Sequence, residues 1–426
     1  MLYYFVRPLA RIALKFWFRK IYRTHLDRVP RDKPVIFAVN HPTIFIEPCL
    51  LACYQPRALF FLTKGILFQF PFVSFLKSLH MVPIYRQQDG GFGKRKSNVS
   101  TFDYCYQLFD RKDSTMIMPE GSSAQVKYLR PLTKGFARLA FGYYEVSGNA
   151  DLYIMPVGIN YTDPDVFRSE VSIGFGKPLH LERYLPIYKN NPRAAKQKLV
   201  EDLYREMKTQ VIDISNEDLV LSEQLWTINR NEAKRTVFPI LETRQPRLKI
   251  EKRIGENITK LSTDKKHELS STTDRYFKKL DEFGITDHAL NLNNRGNFLV
   301  ILFFIVALIP AIFGYITNIL PYLIGQAAGS FTNDVETRMS VVLGISFGVY
   351  LIYMTTLLII TIWNGLWIWL GFVLLIPVCG YLSLVYWEKI NLWMEQNAVK
   401  KLGKNDLINL QTTRLKLMKK INEIKN

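Results

Sequence analysis

Val35-Ile36-Phe37-Ala38-Val39-Asn40-His41-Pro42-Thr43-Ile44-Phe45-Ile46-Glu47-Pro48 is the stretch on which the reading of this chain turns. Its first five residues are apolar and rich in β-branched side chains, the pattern of a buried strand. The strand gives out at Asn40-His41, which sets an imidazole at the carboxyl end of a sheet, where open α/β folds bind ligands. Pro42 blocks continuation of the strand and keeps His41 extended. Glu47 follows six residues after His41, a spacing that shares no helix face, so a bend at Pro42-Thr43 has to bring carboxylate and imidazole together. Alone, the pair reads more readily as a satisfied strand-end histidine and a solvated helix-start carboxylate. A short motif gains meaning only from its context.

Outward from that stretch, strands alternate with helices. A helix is expected around Glu47–Tyr54, then a strand over Ala58–Leu62. Thr63-Lys64-Gly65 leads into a Phe-rich helix that ends in Met81-Val82-Pro83-Ile84-Tyr85-Arg86. The basic, Gly-containing segment Gln87–Asn98 lacks Walker spacing and reads as a loop rather than a phosphate cradle. Thr115–Met118 is another short strand, closed by Pro119-Glu120-Gly121-Ser122-Ser123, with a glycine that lets backbone approach closely. Ser122 with His41 as its base would make a serine hydrolase. The Gly-x-Ser-x-Gly elbow is absent, however, and Pro119 does not suit a strand-to-helix elbow. A helix through Tyr144 and strands over Ile154–Tyr161 and Val171–Phe175 complete the pattern. The fold class expected is α/β, a mixed sheet covered by helices.

At 426 residues the chain is long enough for two or three units. Lys and Arg outnumber Asp and Glu by 56 to 37, a net charge of +19 that favours a polyanionic partner. Aromatic content of 13% and long apolar runs tilt that choice toward anionic membrane lipids. No nucleic-acid partner is expected, because no aromatic-interleaved basic motif is present. The four cysteines have no disulfide-scaffold spacing. Cys49 and Cys53 lie one helical turn apart without a histidine at ligand spacing, so no metal site is expected and the thiols read as reduced. Within residues 1–28, Arg7, Arg11, Lys15, Arg19 and Arg23 recur every fourth residue among aromatic and aliphatic side chains. That predicts one amphipathic helix on the membrane surface, with a helix docked on the following domain as the alternative.

Residues 216–297 are charged and helix-patterned, a linker region without identifiable chemistry. Residues 298–390 read as a transmembrane helical domain. Ser340–Ile362 and Leu366–Trp387 are each long enough to span hydrocarbon, and only Trp363-Asn364-Gly365 joins them. Phe298–Leu323 is apolar but interrupted by Pro310, Gly314 and Pro321. A cytosolic Arg295 and a basic tail that prefers the same side leave room for two full spans. The interrupted segment is therefore expected to be re-entrant, with a count of two or three spans. Residues 391–426 read as a basic amphipathic tail helix.

Acyl transfer from a thioester suits these residues. It needs an imidazole near the acceptor hydroxyl, a carboxylate to orient that imidazole, and cations for a phosphate. Four groups stand in order along residues 29–215: Asn-His with a carboxylate six residues on, Val-Pro-Ile-Tyr-Arg, Pro-Glu-Gly-Ser, and Met-Pro-Val-Gly. In this the chain resembles the glycerol-phosphate acyltransferase superfamily (PlsC-like). The resemblance implies His41 as general base and Glu47 as the carboxylate that orients it. Arg86, Glu120, Gly121 and Ser122 would bind the acceptor, Lys64 would be a further phosphate-binding cation, and Pro156 would mark the acyl-donor side. It implies an acyl-CoA or acyl-ACP donor, with acyl carrier protein as one form of partner, and no separate cofactor. The acceptor would be glycerol-3-phosphate or a lysophospholipid, its 1-acyl form. It also implies an integral membrane enzyme with the catalytic domain on the cytoplasmic face, at the inner membrane if bacterial. Most members carry Asp where this chain has Glu47, and that departure is the support for the alternative of a membrane-anchored lipid-binding scaffold without catalysis.

Overall fold

The computed structural model describes residues 2–84, 94–232, 240–242, 246–291 and 298–425. The chain forms two compact units. The first takes in Met1–Asp213, Pro239–Pro246 and Val335–Ser340; the second takes in Ile214–Phe238, Arg247–Asp334 and Val341–Asn426.

In the first unit the elements run α1 (Leu2–Trp17), β1 (Lys20–Thr24), β2 (Val35–Val39), α2 (Ile46–Tyr54), β3 (Leu59–Lys64), α3 (Val73–Ser78), β4 (Met81–Ile84) and α4 (Lys94–Asp110). They continue with β5 (Ser114–Ile117), α5 (Gly135–Ser147), β6 (Tyr153–Tyr161), β7 (Glu170–Phe175), β8 (Leu179–His180), α6 (Leu185–Asn190), α7 (Pro192–Gln210) and, much later in the chain, β9 (Ile240–Glu242). One mixed sheet is ordered β4-β3-β5-β2-β6-β7-β1-β9, with β8 paired to the amino half of β6. Strands β4, β3, β5, β2 and β6 are mutually parallel, so their carboxyl ends share one edge. Strand β7 turns antiparallel to β6.

Every residue of β2 is buried, as expected for a central strand covered on both faces. Ile36 and Ala38 pack with Phe136 and Phe141 of α5 and with Leu203 and Met207 of α7. The end of α7 lies directly on β6. A Cβ on Gly158 would stand 2.4 Å from the Gln210 carbonyl oxygen, so only glycine admits the approach. Asn160 stitches the same join, donating to that carbonyl at 2.8 Å and accepting from the Ile212 N–H at 2.8 Å.

The amino-terminal expectation is corrected. The helix ends at Trp17, and Lys20–Thr24 is a strand between β7 and β9 rather than the continuation of an amphipathic helix over 1–28. Ile21, Tyr22 and Thr24 are buried in the sheet, so Arg19 and Arg23 belong to no helical stripe. The sheet-bearing domain thus begins before residue 29. Helix α1 buries Tyr3, Leu14 and Trp17, its Arg7 donates to the Gln55 carbonyl, and its Arg11 carbonyl accepts from the Tyr54 hydroxyl. Strand β9 likewise falls inside the segment expected to be wholly helical.

The second unit is helical: α8 (Asn216–Asn231), α9 (Pro246–Thr259), α10 (Thr263–Glu282), α11 (Asp287–Asn291), α12 (Phe298–Ser330), α13 (Val335–Trp363, whose first turns count with the first unit), α14 (Trp367–Lys401) and α15 (Lys404–Lys425). Asp287 is buried and accepts from Tyr276, Asn231 and Arg414, joining α8, α10, α11 and α15. The expected break in the first apolar segment is absent. Helix α12 is continuous through Pro310 and Pro321, since a proline removes one helical hydrogen bond while an unwound apolar segment would strand many. Helix α14 extends to Lys401, beyond the expected boundary at 390. Three helices among the described residues, Ile301–Ser330, Val335–Trp363 and Trp367–Lys401, are long and apolar enough to cross a membrane. Helices α12 and α14 touch through small residues, with Gly314 against the Cys379 backbone and Asn318 donating to the Ile376 carbonyl at 3.1 Å.

Candidate active site

The carboxyl edge of the parallel strands gathers the chemistry. His41 follows β2, Lys64 closes β3, Glu120 follows β5 and Tyr161 closes β6. Between Asn40 and Phe45 the chain is irregular, and α2 begins at Ile46, which supplies the bend expected at Pro42-Thr43. That bend brings His41 Nδ1 to 3.5 Å from Glu47 Oε2. The distance is long for a hydrogen bond, a looseness common in catalytic pairs before substrate closes on them. The Glu47 side chain is fully buried and that of His41 is only 9% exposed.

The other oxygen of Glu47 is pinned. Oε1 accepts from the Thr43 N–H at 3.0 Å, the Thr43 hydroxyl at 2.8 Å and the Tyr161 hydroxyl at 2.8 Å. With three donors on Oε1, Oε2 is left to face the imidazole. Burial and the adjoining Glu47 carboxylate push the Tyr161 phenol well above its ordinary range, so its proton stays on the donor side of that bond.

The histidine backbone is held as firmly. Its N–H donates to Glu120 Oε2 at 2.8 Å, and its carbonyl accepts from the Ala124 N–H at 3.1 Å. Arg130 closes the arrangement. Its N–H donates to Glu120 Oε1 at 3.0 Å, its Nη2 to Glu120 Oε2 at 3.0 Å and its Nη1 to the Ser122 hydroxyl at 2.8 Å. Gly121 turns the loop with φ +82°, a conformation side chains resist, and a Cβ there would press on Thr133 at 3.2 Å. Asn40 mimics a ladder pair, donating to the Ile159 carbonyl at 2.9 Å and accepting its N–H at 2.7 Å.

Of the residues expected from sequence, His41, Glu47, Glu120, Gly121 and Ser122 are brought together. Glu120 and Ser122 hold His41 and Arg130 rather than standing free for a ligand, and the Ser122 hydroxyl accepts from Arg130. Lys64 is exposed at the end of β3, two strands away from β2 in the sheet. Pro156 does not reach the edge. It lies buried opposite Ala38 within the β2–β6 ladder, and its carbonyl accepts from the Gly176 N–H at 2.8 Å. Arg86 lies outside the described residues. Cys49 and Cys53 stay protonated, because burial pushes both thiols up, that of Cys53 to about 12. Sequence reasoning missed Thr43, Tyr161, Arg130 and the clamp made by Asn40. Thr43 and Asn40 lie inside the opening stretch and could have been flagged, whereas nothing local ties Tyr161 to residue 47.

Residues 20–160 match the family model described as Acyltransferase, a span that runs from β1 through β6 and contains the whole His41–Glu47 segment. The chain is 24% identical over 202 residues to Glycerol-3-phosphate O-acyltransferase 2 of Saccharomyces cerevisiae, covering 46% of this chain and 26% of the relative. It is 30% identical over 117 residues to Glycerol-3-phosphate O-acyltransferase 1 of the same yeast, covering 27% and 15%. The matched part of the chain thus spans about a quarter or less of the length of these curated relatives. Among solved structures, the 1-acyl-sn-glycerophosphate acyltransferase PlsC from Thermotoga maritima aligns with a TM-score of 0.36 and 14% identity, over 48% of this chain and 78% of that one.

Proposed function

We propose that this protein is a membrane-bound O-acyltransferase that moves a fatty acyl chain from an acyl thioester to the hydroxyl of glycerol-3-phosphate or its 1-acyl form. The observation that carries the proposal is the aim of Glu47 Oε2 at His41 Nδ1. In the proposed reaction Nδ1–H donates to Glu47 and Nε2 accepts the proton of the acceptor hydroxyl as its oxygen attacks the thioester carbonyl. The tetrahedral intermediate then expels thiolate, and the imidazolium returns the proton to sulfur. No acyl-enzyme is needed, because the thioester is already activated. Glu47 offsets the imidazolium charge without taking the proton.

Lys64 suits the acceptor's phosphate, being a cation at the same edge of the sheet as His41. Of the two donor carriers, the net charge of +19 is compatible with both, since coenzyme A and acyl carrier protein are each anionic. A catalytic domain on the cytoplasmic face follows from the cytosolic supply of either donor. The test is thioester consumption by the purified chain in lipid, against glycerol-3-phosphate, 1-acylglycerol-3-phosphate and lysophospholipids without a terminal phosphate, with products identified by mass. Acylation of the phosphate-bearing acceptors is expected. Consumption of thioester without any acylated acceptor would leave the site a hydrolase and overturn the assignment.

A further inference from the structure

We propose that the segment from Ile66 to Phe75 is a lipid-inserting surface, dipping into one leaflet of the membrane that the apolar helices occupy. Ile66, Leu67, Phe70, Phe72 and Phe75 are 61%, 53%, 95%, 60% and 53% exposed. Five large apolar side chains in ten residues are far more than the scattered singles of an ordinary protein surface. The beginning of α1 adjoins them. Tyr3 stacks on His80 just beyond α3 at 4.2 Å, while Tyr4 and Phe5 beside it are 60% and 68% exposed. A lipid surface is the occupant because of the charges. From Pro48 to Gln88 there is no Asp or Glu, and none from Met1 to Leu26, while Lys64 and Lys77 flank the aromatic segment in exposed positions. Apolar side chains flanked along the chain by exposed lysines match hydrocarbon beneath an anionic headgroup layer.

The inference rests on membrane association and not on acyl transfer, so its test uses no activity. A nitroxide is attached to Phe70→Cys, and separately to Phe72→Cys, in the full chain reconstituted in nanodiscs of phosphatidylcholine and phosphatidylglycerol. Val146→Cys, at an exposed position ending α5, is the control. The labels at 70 and 72 are expected to relax more with oxygen than with a water-soluble nickel chelate, at a depth of ~5–10 Å, while the label at 146 does the reverse. Labels at 70 and 72 that behave like the one at 146 overturn the proposal. So do labels shielded from both reagents, because a protein then covers the surface.

A separate observation bears on topology, and from it we infer that the chain crosses the membrane an even number of times between α11 and α15. Arg414 of α15 donates to Asp287 of α11 through Nε at 2.9 Å and Nη2 at 3.3 Å, and both residues are buried. A buried pair of this kind cannot form across a bilayer. Three complete crossings would separate its members, so two of the three apolar helices cross and the third does not complete the passage. Helix α14 is one of the two, because it packs along α12 from Trp393 to Phe372. Single cysteines at Lys265, Leu415 and Asn364, all exposed, test this with an impermeant maleimide on right-side-out and inverted vesicles, against the labelling of the parent chain. Lys265→Cys and Leu415→Cys are expected to react from one face and Asn364→Cys from the other. Reaction of positions 265 and 415 from opposite faces overturns the inference, as does reaction of all three from one face.

Discussion

Two buried carboxylates, Glu47 in the first unit and Asp287 in the second, each accept a tyrosine hydroxyl, and they are built for opposite ends. Around Asp287 both oxygens are filled: Oδ1 by Tyr276 at 2.6 Å and Arg414 at 2.9 Å, Oδ2 by Asn231 at 2.9 Å and Arg414 at 3.3 Å. A guanidinium balances the charge, and Arg414 reaches on to Glu232 at 2.7 Å. Around Glu47 all three donors crowd one oxygen, and among the described residues no cation is bonded to it and the second oxygen meets only an imidazole. A carboxylate with every acceptor position filled joins elements, whereas one with an oxygen held in reserve can answer a change of charge next to it. The difference lies in the distribution of donors and not in burial, which is nearly complete for both.

The largest expected effect tests the first half of that contrast. His41→Ala should lower turnover ~10²–10⁴-fold, the usual cost of losing a general base, with the thermal unfolding of the chain unchanged. Glu47→Gln should be severely impaired too, since its amide can offer Nδ1 a donor and favour the wrong tautomer. A Glu47→Gln enzyme of undiminished rate would remove Glu47 from the mechanism and erase the contrast with Asp287.

Next in size is Asp287→Ala, which leaves Arg414 buried with Glu232 as its one charged partner among the described residues. A loss of about 3 kcal/mol in the stability of the second unit is expected, read as faster amide exchange in α11 and α15. Asp287→Asn keeps acceptor capacity and should cost less. If Asp287→Ala altered catalysis and left exchange untouched, Asp287 would belong with Glu47.

Glu251 extends the comparison to acid. Burial pushes its carboxyl up, but Arg230 at 2.7 Å and Arg247 at 2.6 Å outweigh burial and hold it at about 2. A carboxyl with a depressed folded value stabilises the fold above the unfolded value near 4.5 and loses that contribution as pH falls toward 2. The contribution at stake is about 3 kcal/mol. Stability of the second unit followed from pH 6 downward should therefore begin to decline below about 4.5, and Glu251→Gln should flatten that decline. A decline of the same slope in the variant would place the acid sensitivity elsewhere.

The reach of sequence reasoning follows from how local each signal is. Strand β2 and the bend to α2 were legible because burial on both faces demands a continuous apolar run and Pro42 marks its end. The strands that close at Ile117 and Tyr161 were legible for the same reason. Strand β1 was hidden, because Lys20-Ile21-Tyr22-Arg23-Thr24 continues an every-fourth cationic spacing that mimics a helix. Its true partners, Glu170–Gly174, lie some 150 residues on. Its Ile, Tyr and Thr were the signal that could have shown it. Strand β9 has three residues, too few to carry a period. The Asp287 pair was out of reach because Arg414 is one cation among many in a basic tail, and only packing selects it. The same holds for Tyr161, which meets Glu47 across 114 residues.

The smallest expected effect, from Tyr161→Phe, is also the one that explains the glutamate. Phenylalanine keeps the ring in its packed place and removes one donor of three from Oε1, leaving both Thr43 bonds. About 1.5 kcal/mol is at stake for a hydrogen bond to a charged acceptor, so turnover should fall roughly tenfold. The KM for the acceptor should hold, because Tyr161 positions Glu47 and is not aimed at substrate. Glu47→Asp shortens the side chain by one carbon–carbon bond, about 1.5 Å. Reaching from α2, an aspartate can keep the imidazole or the Tyr161 hydroxyl within bonding distance, but not both. It should keep His41 and retain substantial activity. Tyr161→Phe added to Glu47→Asp should then cost almost nothing further, since the bond it removes is already gone, and the two changes will be strongly non-additive. Penalties that simply add would mean that Tyr161 acts on something other than the carboxylate. The longer side chain at position 47 would then owe nothing to the tyrosine at the end of β6.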